Sequence, residues 1–141
     1  MLKRIAIGSI VLAFVLSGAA FAATLTGAKV TLHTTSLGKR LATSTGRTLY
    51  LYTPDGTSNK SHCSGGCAQT WPPLITGGKP VAGMGVKQSL LGTTRRANGK
   101  LQVTYNRHPV YKYVGDSSAG QTNGEGSGGI WYTVTAAGRK G

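Results

Sequence analysis

The chain has 141 residues, with 16 Lys and Arg against 3 Asp and Glu, a formal charge of +13. With so few carboxylates, an acid–base or hard-cation site built on several of them has little material to draw on. Twenty-two glycines and little sustained helical periodicity argue against a helix bundle.

The first 22 residues read as a signal peptide. Lys3 and Arg4 form a basic start, Ile5 to Leu16 an apolar run too short to span a bilayer comfortably, and Ala20-Phe21-Ala22 a small-x-small cleavage site. Removing 22 of 141 residues leaves 119, with a net charge of +11 because both lost charges are basic. No cysteine lies near the cleavage site, so a diacylglyceryl anchor has no attachment atom. The expected product is freely exported, in periplasm, cell wall or medium, and not lipid-anchored.

The remainder, residues 23–141, reads as all-β. Short alternating stretches at Lys29–Thr34, Thr48–Thr53, Leu101–Tyr105, Val110–Val114 and Ile130–Val134 are the predicted strands. Asp55-Gly56 and Asn98-Gly99 are turn dipeptides, the second placed for a hairpin. Between Thr53 and the next strands lies Cys63-Ser64-Gly65-Gly66-Cys67, which holds the only two cysteines. An oxidising compartment favours their pairing, and the two glycines let the chain fold back far enough. A soft-metal or redox site on His62, Cys63 and Cys67 is the alternative, but it needs a further ligand. Gly77–Gly92 is either a strand or a single helical turn around Gln88–Leu91, and Gly115–Gly129 reads as a glycine-rich surface loop.

A repeat organises these elements. Tyr50-Leu51-Tyr52-Thr53-Pro54-Asp55 recurs 61 residues later as Tyr111-Lys112-Tyr113-Val114-Gly115-Asp116, each copy followed by glycines and a tryptophan, Trp71 or Trp131. Units of about 60 residues bury little surface alone, so the copies, about 29–76 and 100–138, are expected to pack together. The expected architecture is a small duplicated antiparallel sandwich or barrel-like domain with pseudo-twofold repeats and long glycine-rich loops. Side chains alternate along a strand, so Tyr50 and Tyr52 share a face, as do Tyr111 and Tyr113. Lys112 on the opposite face suggests that this side is partly wet. The tyrosine face is then a shared core, or else a cleft in which Tyr50, Tyr52, Tyr111 and Tyr113, with Trp71 and Trp131, grip a sugar or planar ligand. Asp55 and Asp116 stand at the strand exits, where a carboxylate accepts backbone N–H groups and fixes a turn; a symmetric acid–base or cation pair is the functional alternative.

Leu49 to Asp55, then Ser61, Cys63, Gly66-Cys67-Ala68 and Trp71-Pro72-Pro73-Leu74, resemble the bacterial secreted-repeat family marked by a Tyr-x4-Asp motif, often predicted lipoproteins of unknown function. Tyr105-Asn106, Pro109-Val110-Tyr111 to Asp116, Gly120, Gly124, Gly126 and Trp131 are similar to its second unit, so the resemblance spans about Val30 to Gly138. It implies an exported, β-rich module outside the cytoplasm with no established reaction. Two departures stand out: there is no lipobox cysteine, and Arg107 occupies a position commonly held by glycine.

No nucleophile elbow, His-Glu-x-x-His helix or phosphate-cradling P-loop is present, so no enzyme class is expected. The basic residues are scattered and produce a generally positive surface, suited to anionic envelope polymer or lipid. No recognisable module points to specific nucleic-acid recognition. The expected role is binding or structure at the envelope or outside the cell, without a cofactor. The runner-up is a metal- or haem-linked redox accessory that uses the cysteines, His62 and the tyrosine cleft.

Overall fold

The computed structural model describes residues 10–15, 17, 18 and 26–141. The basic start at Lys3-Arg4 and the cleavage site at Ala20-Phe21-Ala22 lie outside the described residues. Among those described, no helix is long and apolar enough to cross a membrane.

Among the described residues nine strands carry the fold: β1 (Lys29–Thr35), β2 (Gly38–Thr43), β3 (Tyr50–Tyr52), β4 (Ile75–Thr76), β5 (Val81–Ala82), β6 (Leu91–Arg95), β7 (Leu101–Tyr105), β8 (His108–Tyr111) and β9 (Trp131–Thr133). One short helix, α1 (Gly66–Thr70), and three 3-10 turns complete it. The fold is all-β, in two sheets. The smaller has the order β2-β1-β5, with β1 antiparallel to β2 and parallel to β5. The larger runs β4-β7-β8-β3-β9, with β6 on the other edge of β7. Among the described residues this path does not close, so the barrel form of the expectation is not realised.

Short connections set the order. The β6–β7 hairpin turns at Arg96–Lys100, where the Gly99 N–H donates to the Arg96 carbonyl and the Asn98 side chain accepts from Lys100 N–H. The β7–β8 hairpin turns on Asn106 and Arg107, with φ of 48° and 67°. Two successive left-handed residues are what a tight hairpin of right-twisted strands requires. Asn adopts this region at less cost than Arg, and glycine at none, which accounts physically for the glycine common at the Arg107 position.

The centre of the larger sheet, at β3 and β8, is buried on both faces. Leu49, Leu51, Val103 and Val110 point into an aliphatic core that also holds Val30 and Leu41 from the smaller sheet, with Val86, Tyr105 and Val134. Tyr50 and Tyr111 point the other way, into a second, aromatic core with Cys63, Trp71 and Trp131. The expectation of a partly wet face opposite the tyrosines is therefore corrected. Lys112 lies just beyond the end of β8 and is no guide to the face behind Val110.

Candidate functional site

The duplicated motif meets itself at the centre of the larger sheet. β3 and β8 run antiparallel with Tyr50 directly opposite Tyr111, which puts a local twofold axis between the copies. The flanking segments obey the same symmetry. β9 pairs with β3 so that Trp131 faces Tyr52, while Trp71-Pro72-Pro73 runs beside β8, bridged at Pro73 to Tyr111. Proline has no N–H to donate, so the first copy's segment forms a sparser ladder than its counterpart β9. It is held instead by Lys112 N–H to the Pro72 carbonyl (2.7 Å) and Leu74 N–H to the Val110 carbonyl (3.1 Å).

Six rings converge on the axis. Trp71 and Trp131 stack with centroids 4.0 Å apart and planes at 4°. Tyr113 covers the outer face of Trp71 at 4.2 Å, and Tyr52 that of Trp131 at 4.4 Å. Tyr50 and Tyr111 meet the indoles edge-on at 5.4 and 5.1 Å. Both faces of each indole are thus occupied by another ring. Tyr50 and Tyr111 are fully buried, Trp71 and Trp131 are 6% and 4% exposed, and only the end rings Tyr52 and Tyr113 are part-exposed. Gly124 lies where an added Cβ would sit 2.7 Å from the Trp71 ring and 3.0 Å from that of Tyr50, so a larger residue there would displace the stack.

The aspartates are exchanged between copies. The Tyr50 hydroxyl donates to Oδ2 of Asp116 at 2.6 Å, and the Tyr111 hydroxyl to Oδ2 of Asp55 at 2.5 Å. The other oxygen of each carboxylate fixes the loop that follows it. Asp55 Oδ1 accepts from the His62 N–H at 2.6 Å, and Asp116 Oδ1 from the Asn123 N–H at 2.9 Å, seven residues on in both copies. The Asp55 side also receives the imidazole Nδ1 of His62 at 3.2 Å. Burial above all, and then the neighbouring carboxylate, pushes both phenols well above the ordinary tyrosine range, so both stay protonated donors. Burial holds His108 below its usual value, against the opposing pull of the Gly56 carbonyl and Asp55; its Nδ1 has no hydrogen-bond partner among the described residues.

Cys63 and Cys67 form a disulfide across a Cα separation of 5.3 Å. The alternative metal set of His62, Cys63 and Cys67 is corrected accordingly. The two sulfurs are bonded to each other and the imidazole is turned to Asp55, so no thiolate is left to coordinate. Sequence reasoning missed Arg96 and Gln102. Arg96 reaches from the β6–β7 hairpin to donate to Ser61 Oγ (2.9 Å), Gln102 Oε1 (2.7 Å) and the Cys63 carbonyl (2.8 Å). Gln102, fully buried in β7, donates in turn to the Val110 carbonyl at 3.0 Å. A glutamine amid the apolar alternation of Leu101–Tyr105 was the signal available, since a buried amide needs a polar partner.

Against known families, a model described as a secreted repeat of unknown function matches residues 31–75 and again residues 92–135, together more than half of the chain. The chain belongs to this family. Its two matched repeats correspond to the two halves that exchange tyrosine and aspartate across β3 and β8. No curated protein and no solved structure matches the chain. The family and the disulfide both fit an extracytoplasmic location.

Proposed function

We propose that this exported module is non-enzymatic and works by electrostatic attachment to anionic polymer or lipid of the bacterial envelope. One observation carries this reading: the acidic residues are spent inside the fold. Asp55 and Asp116 serve the tyrosine exchange, and Glu125 accepts the Thr133 N–H at 2.7 Å. Among the described residues the sole basic side chain within ion-pair distance of a carboxylate is the His62 imidazole at Asp55, and no Lys or Arg side chain pairs with a carboxylate. The basic surface is therefore uncompensated, and its field extends over a Debye length of about 8 Å at physiological ionic strength.

The aromatic centre supports an architectural role for the motif. Its tyrosines and indoles are engaged with one another, and its carboxylates hold hydrogen bonds that fix loops. The test is retention of the purified protein on isolated envelope material across a salt series. Attachment that weakens steeply as salt rises is the expected result. Retention that is unchanged between low and high salt would overturn the electrostatic reading and favour a pocket-based interaction.

A further inference from the structure

We propose that the groove between the disulfide loop and the β6–β7 hairpin is a binding site for the phosphodiester groups of a linear anionic polymer. This rests on the electrostatic reading above and assigns that reading one place on the molecule. The groove encloses about 960 Å³, within the range of ligand sites, and is walled by Ser58, Lys60 and Ser61 on the loop and by Arg95, Arg96 and Asn98 on the hairpin. No carboxylate lines it. Two smaller depressions of about 300 and 340 Å³ lie elsewhere, and Asp116 contributes to the first of them.

Arg96 is what distinguishes this groove from a merely basic surface. Its guanidinium is fixed by three hydrogen bonds to Ser61, Gln102 and the Cys63 carbonyl, all neutral acceptors. A guanidinium has five N–H donors, so Nε–H and one Nη2–H remain for a ligand. The charge is held in place without a counter-ion, and the ordering cost of the side chain is met before any ligand arrives. A planar fork with free N–H groups suits the two unbridged oxygens of a phosphodiester. Lys60 and Arg95 are exposed on opposite walls and add charge along the same groove, while the Asn98 amide supplies a neutral donor. A concave channel admits a chain and excludes a flat bilayer, so the polymer, not a phospholipid headgroup, is the ligand.

Arg96 ties the loop to the hairpin, so its removal risks the fold; the test uses Lys60→Gln with Arg95→Gln, neither of which carries Arg96's internal contacts. The control is Lys29→Gln with Lys39→Gln, an equal charge loss outside the groove. Binding of the full chain to a poly(glycerol phosphate) oligomer is measured by calorimetry, with phosphatidylglycerol vesicles as the second arm. The groove variant is expected to lose about tenfold or more in oligomer affinity, the equivalent of about 1.4 kcal/mol, and the control about twofold or less, the scale of exposed charges. The Arg96 Nε–H resonance should shift on oligomer addition in the parent chain. Equal losses in the two variants would overturn the groove and leave diffuse attachment standing. Vesicle binding without oligomer binding would likewise overturn the groove. Binding to neither would overturn both readings.

Discussion

The two halves of the aromatic centre use one device and close it in different ways. In each, a buried carboxylate takes a tyrosine hydroxyl from the other copy and a backbone N–H from its own loop. The loop after Asp55 is then shut by the Cys63–Cys67 bond and by Arg96. The loop after Asp116 has no cysteine. It turns instead on Gly120, Gly126, Gly128 and Gly129, all with positive φ, and is secured by the Gln121 side chain, which accepts from the Ser117 and Ser118 N–H groups. The difference teaches that the Tyr-x4-Asp motif specifies the junction, while loop closure is free to diverge. The first side carries an open cationic groove; the second carries a glycine loop packed on Trp71 through Gly124.

The largest effect should come from the element that both halves share. Trp71→Ala and Trp131→Ala should each cost about 3–5 kcal/mol in denaturant melts, as buried aromatic truncations do. The double variant should fall short of the sum by more than about 0.5 kcal/mol, because the rings touch. Additive losses would mean that the halves pack independently.

Opening the covalent closure separates the halves. Replacing Cys63 and Cys67 by serine should cost about 2 kcal/mol, the chain-entropy value for so small a loop. Hydrogen exchange should rise at residues 58–68 and stay unchanged at residues 117–129. Loosening of both loops would show that the disulfide supports the whole junction.

A smaller effect falls on the β7–β8 turn, which belongs to neither loop. Arg107→Gly should stabilise by about 0.5–1 kcal/mol, the relief of a left-handed non-glycine residue less glycine's greater freedom when unfolded. Urea midpoints check it, and a loss of stability would deny the turn geometry.

The tyrosines also set an alkaline limit. Both folded phenols titrate above the unfolded value of about 10, so their contribution is complete below that pH and is lost as pH rises beyond it. Tyr50→Phe and Tyr111→Phe should each flatten the alkaline fall in stability, read from melts across that range.

Much of this was legible in the sequence because period-2 alternation and duplication are local signals. β7 matches its expected span of Leu101–Tyr105 residue for residue, and the repeat led directly to the four tyrosines, two tryptophans and two aspartates that meet on the axis. β2 was missed because Gly38-Lys39-Arg40 opens it with a glycine and two basic residues in place of apolar alternation, and its partner β1 decides the pairing. β6 was seen only as the tail of an ambiguous stretch, since Leu91–Arg95 carries glycine and threonines whose strand form depends on β7. The 3-10 turn Gln88–Leu90 corresponds to the helical alternative for that stretch. The exchange of partners was not legible at all. Spacing puts Asp55 five residues after Tyr50, but only the antiparallel register hands Asp55 to Tyr111.

That exchange is the centre of the account, and a pair of double-mutant cycles tests it most directly. In denaturant melts of Tyr50→Phe, Asp116→Asn and their double variant, the coupling energy should be about 1–3 kcal/mol, as expected of a buried hydrogen bond to a charged group. The same cycle on Tyr50 and Asp55, two residues of one copy, should give less than about 0.5 kcal/mol. Strong coupling between Tyr50 and Asp55, with none between Tyr50 and Asp116, would contradict the exchange and show each copy folding on itself.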